Sequence, residues 1–125
     1  MRGFFIGALA LALTVPAAAA NDEAEAGADL GSGMASYFSR EMAGNRTANG
    51  ERCDPDTLTA AHRTAPFGSR IRVTSLSSGR SVVVRINDRG PFSGGRVIDL
   101  SHAAAREIGM QRTGTARVSL ALLDD

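Results

Sequence analysis

Three segments in the second half of the chain have the apolar patterns of strands. Residues 71–76 and the β-branched run 82–86 lie on either side of a turn formed by residues 77–79, and residues 116–122 have a period of two. A period of two is typical of half-buried strands, and two such strands around a short turn containing Gly form a hairpin. Shorter candidate strands cover residues 34–38 and 97–100.

One helix is predicted after residue 100. Ser101 is a suitable N-cap, residues 103–105 are alanines, Ile108 supplies an apolar contact, and Gly109 is placed to end the helix. About 95 residues with short strands and one helix are too few for two large layers, whereas a closed barrel leaves no sheet edge. The expected barrel interior holds Val73, Val83, Ile86, Ile98, Val118 and Leu120.

The N-terminus has the features of a secretory signal peptide. Arg2 is followed by an apolar run at residues 4–15 and an A-x-A site at residues 18–20. No other apolar run approaches the ~18 residues of a membrane span. We predict a signal peptide over residues 1–20 and export to the periplasm or cell envelope. The alternative is an uncleaved anchor.

Charge is unevenly distributed. All 14 basic residues are Arg, against 13 acids, and four of the acids lie in residues 21–30. That segment has few groups to bury, which predicts a flexible acidic leader before a domain at residues 31–125. The domain keeps a surplus of 4 positive charges, which suits an anionic polymer but is too small to predict nucleic-acid binding.

Cys53 is the single cysteine, so no intramolecular disulfide is possible. It lies far from the predicted cleavage site, so we expect no lipid anchor and no membrane anchor after signal cleavage. We expect Cys53 to be buried as a small apolar residue; a catalytic thiol is the alternative.

Asp88 ends the most apolar candidate strand. Arg89, Gly90 and Pro91 follow it, and Gly with Pro predicts a sharp backbone corner. Acidic side chains at strand ends above such loops are typical of active sites. A polar turn that closes the strand is the alternative.

Residues 33–123 resemble the rare lipoprotein A family. The resemblance rests on five segments in order: GMASYF, TANGERCD, LTAAHRTAPFGSRIRV, SVVVRINDRGPF and GRVIDLSHAAAREIGM. It implies a small six-stranded double-psi β-barrel with one or two short helices, distantly similar to expansins and barrel-type endoglucanases. It also implies an endolytic peptidoglycan lytic transglycosylase, in several members acting on peptide-stripped strands. The alternative is a non-catalytic, expansin-like glycan-binding or wall-loosening protein.

The same resemblance implies three catalytic residues, Asp88, Glu51 and His62. A lytic transglycosylase protonates the bond between N-acetylmuramic acid (MurNAc) and N-acetylglucosamine (GlcNAc), then removes the proton of the MurNAc C6 hydroxyl as the 1,6-anhydro ring closes. One carboxyl can do both, provided that it begins protonated. We assign this role to Asp88. Glu51 raises the pKa of Asp88, stabilises charge on the sugar or orients the hydroxyl, and His62 bonds Asp88 or a substrate hydroxyl.

Four further residues are candidates for substrate binding. Tyr37 is expected to stack on a sugar, Thr47 and Asn87 to donate hydrogen bonds, and Arg89 to bind a lactyl carboxylate. For Arg89 the alternative is a bond to backbone carbonyls that fixes the loop, and for Asn87 a role in holding the turn.

Asp99 is a further candidate for substrate binding, in a supporting role. It is either a cap for the following helix or a second site carboxylate, and capping is favoured because Ser101 and the helix follow so closely. His102 at the helix start is expected to face solvent. No ligand set with metal spacing and no phosphate loop is present, so we predict no cofactor.

Overall fold

The computed structural model describes residues 27–123, which form a closed six-stranded barrel. The elements in chain order are β1 (Ala28–Tyr37), a 3₁₀ helix (Arg40–Met42), β2 (Thr59–Ala61), β3 (Arg70–Ser75), β4 (Ser81–Asp88), β5 (Arg96–Leu100), α1 (His102–Glu107) and β6 (Thr115–Leu122). Around the barrel the order is β1-β5-β2-β4-β3-β6, and β6 closes onto β1. The β1–β5 and β2–β4 pairs are parallel and the other pairs are antiparallel. The predicted mainly β barrel is confirmed.

Alternating side chains fill the barrel interior. The largest fully buried ones include Ile71, Val73, Val84, Ile86, Ile98, Leu100 and Val118. The prediction was wrong for Val83, which is half-buried because Val82 and Val84 occupy the inward positions of β4. A period of two allows only one of these sets to face the core.

Helix α1 begins and ends as predicted. The Ser101 hydroxyl accepts a hydrogen bond from the Ala104 N–H at 3.2 Å. Gly109 follows the helix with a φ of 78°, and its N–H donates to the carbonyl of Arg106. This left-handed conformation is accessible to glycine at little cost. Ala104 and Ile108 pack against the barrel core.

The barrel begins earlier than the sequence indicated. Ala28 pairs with Leu122 and Gly31 with Leu120, so residues 28–30, assigned to the flexible leader, belong to β1. Their side chains are exposed, so the pairing leaves no apolar pattern in the sequence. The predicted signal peptide and most of the leader lie in residues 1–26, outside the described residues. Within residues 27–123, no helix has the length and apolar character to cross a membrane.

Candidate active site

Four side chains form a row across four neighbouring strands. Ser36 on β1 pairs with Asp99 on β5, and Ala61 on β2 pairs with both Asp99 and Asp88. Paired residues on adjacent strands point to the same side of a sheet, and strands are ~4.8 Å apart. The Cα atoms of the two aspartates are therefore roughly 10 Å apart. Between them stands only the Ala61 methyl group, which leaves space above β2.

This space opens into a groove of ≈ 260 Å³. Ala61, Asp88 and Asp99 line it together, as do polar and apolar side chains from the loops around them. Asp88 and Asp99 are both half-buried, so neither carboxyl group is sealed from solvent. The strand end singled out in the sequence thus borders an open groove.

The loop around residue 48 and the Gly90 corner hold Asp88 in place. Its Oδ1 accepts hydrogen bonds from the N–H groups of Ala48 and Arg89, each at 2.9 Å. Its Oδ2 accepts no hydrogen bond from residues 27–123. One oxygen therefore fixes the orientation of the carboxyl group and leaves the other for a ligand.

Asp99 has a different environment. Its Oδ1 accepts a hydrogen bond from the Ser36 hydroxyl at 3.0 Å. Burial raises the pKa of Asp99, the charge of Asp88 raises it further, and Ser36 and Arg96 oppose the rise. The expectation that Asp99 caps the helix was wrong, because Ser101 fills the cap position. Asp99 is a carboxyl group that lines the groove and retains its proton more readily than an exposed one.

Glu51 is paired with a strand side chain that the sequence analysis did not identify. Arg85 binds both carboxylate oxygens, at 2.7 and 3.0 Å, and Asn87 donates to Oε1 at 3.3 Å. The Arg85 hydrogen bonds are the main cause that lowers the pKa of Glu51 to about 2. Arg85 and Asn87 are two positions apart on β4 and share a face, and Glu51 is not among the groove-lining residues.

Glu51 also belongs to the turn that contacts Asp88. The Thr47 N–H donates to the Glu51 carbonyl at 2.8 Å, and the Glu51 N–H donates to Asn49 Oδ1 at 3.0 Å. Thr47 lines the groove, and its hydroxyl donates within the turn, to Asn49 Oδ1 at 2.8 Å. This turn presents the Ala48 N–H to Asp88.

His62 is engaged in its own turn. Its Nδ1 accepts hydrogen bonds from the N–H groups of Thr64 and Ala65, at 3.2 and 3.0 Å. Burial lowers the pKa of His62, and the charges of Arg63 and Arg89 lower it further. Its backbone N–H donates to the Asp88 carbonyl at 3.2 Å. The contact with Asp88 thus runs through the main chain, and the imidazole is not among the groove-lining groups.

Arg89 connects two loops beside the groove. Its Nη1 donates to the carbonyls of His62 and Ala65, at 3.1 and 2.8 Å, and its guanidinium lies 3.9 Å above the Phe67 ring centroid. These contacts match the expected alternative, in which Arg89 fixes the loop. Asn87 is buried and bonds Glu51, which fits its alternative role in holding the turn.

Tyr37 lies away from the groove. Its ring meets the His102 ring edge-on at 4.7 Å, and its hydroxyl donates to the Gln111 carbonyl. Tyr37 is not among the groove-lining residues. The expectation that His102 faces solvent was wrong, because the ring is half-buried against Tyr37.

Cys53 is buried, as predicted, and lines the groove. Burial raises the pKa of its thiol, and the nearby charges of Asp88 and Asp54 act in the same direction. Since the thiolate is the nucleophile, this environment disfavours a catalytic thiol. Across residues 27–123, no group of three or more His, Cys, Asp and Glu side chains could hold a metal ion.

The sequence analysis missed Ser36, Ala61 and Arg85. Ser36 is a polar residue that is buried within an otherwise small-residue strand, and a serine next to Ala35 gives only a weak signal. Ala61 follows another alanine, with nothing to mark it as the floor of a site. Arg85 interrupts the apolar run of β4, and that interruption was the one available signal.

Comparisons with known proteins agree with the fold and with the family resemblance. A family model described as lytic transglycolase matches residues 31–120. The chain is 61% identical over 88 residues, 70% of its own length and 27% of the relative's, to a probable endolytic peptidoglycan transglycosylase RlpA of Synechocystis sp.. It is 53% identical over 92 residues, 74% of the chain and 27% of the relative, to the endolytic peptidoglycan transglycosylase RlpA of Pseudomonas aeruginosa. The chain thus matches about a quarter of the length of these relatives.

The barrel also resembles a solved structure from another group. An apo expansin of Clavibacter michiganensis matches with a TM-score of 0.59 and 24% identity, over 76% of this chain and 50% of the expansin. At this identity the likeness concerns the fold. The family model covers most of the barrel, and the predicted resemblance to rare lipoprotein A proteins is confirmed. The chain belongs to the lytic transglycolase family.

Proposed function

We propose that this protein is an exported endolytic lytic transglycosylase that cleaves the MurNAc-β-1,4-GlcNAc bond of peptidoglycan and leaves 1,6-anhydromuramyl ends. The names of its relatives support this activity. The observation that carries it is the row in which Asp88 and Asp99 flank Ala61 at the floor of one groove. A carboxyl group with a raised pKa can donate and take back the proton, and a second carboxylate across the groove can stabilise positive charge on the sugar.

Asp99 is the general acid in this proposal. Its raised pKa favours the protonated form at the start of the reaction. The Asp99 proton passes to the bridging oxygen, the bond from that oxygen to MurNAc C1 breaks, and GlcNAc leaves with a free C4 hydroxyl. This departs from the sequence-based assignment, which gave the proton to Asp88.

The second step returns the proton to Asp99. The MurNAc C6 hydroxyl oxygen bonds to C1, and the Asp99 carboxylate takes the hydroxyl proton. No water is consumed, and Asp99 ends as it began. Positive charge develops on the sugar ring as the C1–O bond breaks, and the negative charge of Asp88 stabilises it across the groove.

The proposed role of Glu51, His62 and Arg89 is to hold the loops that border the groove. Glu51 anchors the turn that presents the Ala48 N–H to Asp88, and Arg89 ties the Asp88 corner to the His62 turn. Thr47 and Asn87 line the groove beside Asp88, and their hydrogen bonds to Asn49 and Glu51 hold that wall of the groove. The glycan strand is the proposed partner, and the periplasm or cell envelope is the proposed location.

The decisive experiment uses purified protein with intact and peptide-stripped sacculi. Mass spectrometry of the soluble products should detect 1,6-anhydromuramyl ends with the wild type and not with Asp99→Asn. Reducing ends would instead indicate a hydrolase, in which a carboxylate activates water. Sedimentation with sacculi, without soluble products, would support the expansin-like binder.

A further inference from the structure

The groove rim carries an aromatic side chain to which the proposed mechanism assigns no role. Phe92 is 80% exposed and lines the same groove as Asp88 and Asp99. It is the most exposed of the large hydrophobic residues between positions 27 and 123. Pro91 and Met42 line the groove as well, so Phe92 belongs to an apolar rim around a floor that contains two carboxyl groups.

The Phe92 ring lies beside Gly90, on a stretch of main chain that is fixed by hydrogen bonds. Its Cε2 and Cδ2 atoms lie 3.5 and 3.7 Å from the position that a Cβ on Gly90 would occupy. The adjoining main chain is fixed by Arg63, whose Nε donates to the Pro91 carbonyl at 2.7 Å and whose Nη2 donates to the Arg96 carbonyl. Most of the ring surface is therefore available to a ligand, and the main chain that carries the ring is fixed.

The size of the groove indicates what reaches this ring. Its ≈ 260 Å³ is slightly below the ~300 Å³ lower limit of typical small-molecule sites, so it accommodates about one sugar ring. A glycan strand is longer, and the sugars that flank the reacting one must lie on the rim. A pyranose presents C–H groups on its faces and hydroxyl groups at its edges. The C–H groups can pack on an aromatic ring, and the hydroxyl groups can form hydrogen bonds with Asp88 and Asp99.

We propose that Phe92 is a stacking platform for a hexose ring that adjoins the sugar held between Asp88 and Asp99. The inference rests on the proposed function, because it assumes a glycan strand in the groove. It assigns to Phe92 a part of substrate binding that the sequence analysis gave to Tyr37. Phe92 contributes to the binding of substrate and transition state alike, so its removal affects KM more than kcat.

The test compares Phe92→Ala, Phe92→Leu and Phe92→Trp with a matched control. Leu76→Ala removes an apolar side chain that is 53% exposed, in the turn between β3 and β4 and outside the groove lining. Thermal unfolding first establishes that each variant folds. Binding to soluble peptide-stripped glycan strands is then measured in an Asp99→Asn background, and KM and kcat in the active protein.

We expect Phe92→Ala to weaken binding and raise KM roughly three- to tenfold, the range of an aromatic contact. Phe92→Trp should retain binding, Phe92→Leu should recover it only in part, and Leu76→Ala should match the wild type. Wild-type binding by Phe92→Ala would overturn the inference, and full recovery by Phe92→Leu would do the same, because any apolar group would then suffice.

The design separates this inference from the proposed function. If the wild type releases anhydro ends and Phe92→Ala does so with unchanged KM, the stacking role is wrong and the transglycosylase assignment stands. If the wild type binds glycan without cleavage and Phe92→Ala binds less, the stacking role stands and the transglycosylase assignment is wrong.

Discussion

Asp88 and Asp99 flank the same alanine and have unlike surroundings. Asp88 ends β4, where two backbone N–H groups from loops hold its Oδ1. Asp99 lies within β5, where burial and a serine hydroxyl surround it and its pKa is raised. Neighbours, rather than residue type, therefore set how readily a carboxyl group at this groove retains its proton. Removing the Asp88 charge and removing the Ser36 hydroxyl should therefore shift the pKa of Asp99 in opposite directions.

Asp99→Asn should reduce activity more than any other single substitution at the groove. Asparagine has nearly the same shape and still accepts a hydrogen bond from Ser36, but it cannot donate an acidic proton. We expect kcat to fall roughly 100- to 10,000-fold, the usual contribution of a general acid. The rate of release of 1,6-anhydromuramyl ends measures this loss. A variant that kept more than a tenth of the wild-type rate would return the acid role to Asp88.

Asp88→Asn removes a negative charge and keeps an oxygen for the Ala48 and Arg89 N–H groups. We expect kcat to fall about 100-fold, a loss typical of one electrostatic group. The Asp88 charge also raises the pKa of Asp99, so the loss of activity toward high pH should begin at a lower pH. The pH–rate profile of kcat checks this. An unshifted profile would show that the two groups do not interact.

Ser36→Ala should shift the loss of activity at high pH in the opposite direction, to a higher pH. The Ser36 hydroxyl bonds the charged form of Asp99 and lowers its pKa, so its loss raises that pKa and extends activity to higher pH. The free energy of unfolding should fall by about 1 kcal/mol, the usual value of one hydrogen bond. Ser32→Ala, at an exposed position of the same strand, is the matched control. A shift to lower pH would contradict the assigned hydrogen bond.

The sequence predicted the parts of the fold that have local signals. The β3–β4 hairpin, β6 and α1 carry alternation, a turn or a cap in consecutive residues. β2 carries none, because Thr59–Ala61 is three residues long and pairs with β4 and β5 across long stretches of chain. Without β2 there is no reason to place Asp88 and Asp99 on either side of one alanine.

Among the site residues, too, only those with a local signal could be identified from the sequence. Asp88 was identifiable because it ends an apolar strand before Gly90. The pKa of Asp99 is raised by burial and by the charge of Asp88, and it is lowered by a hydrogen bond from a residue 63 positions earlier in the chain. No local pattern in the sequence indicates any of these neighbours. The family resemblance pointed to Glu51 and His62, but it could not show that Arg85 and backbone N–H groups already occupy their side chains.

Glu51→Gln changes a third carboxylate, which lies outside the groove lining. The Arg85 pair is about two-fifths exposed on each side, so we expect the free energy of unfolding at neutral pH to fall by at most about 1 kcal/mol. The pKa of Glu51 is lowered from 4.5 to about 2, and the stabilisation is therefore present above pH 4.5 and lost as the pH falls toward 2. Urea unfolding of the wild type and of Glu51→Gln across this pH range should show that the difference in their free energies of unfolding disappears as the pH falls.

The control for this variant is Asp56→Asn, which weakens the single contact of Asp56 with Arg40 at 3.1 Å. This contact is more exposed than the Glu51–Arg85 pair, so the free energy of unfolding should fall by less.

If Glu51 only positions the turn that contacts Asp88, Glu51→Gln should lower kcat less than tenfold, since glutamine still bonds Arg85 and Asn87. A loss as large as that of Asp99→Asn in a folded variant would restore Glu51 to the chemistry. The asymmetry between the two aspartates would then be secondary to a third carboxylate.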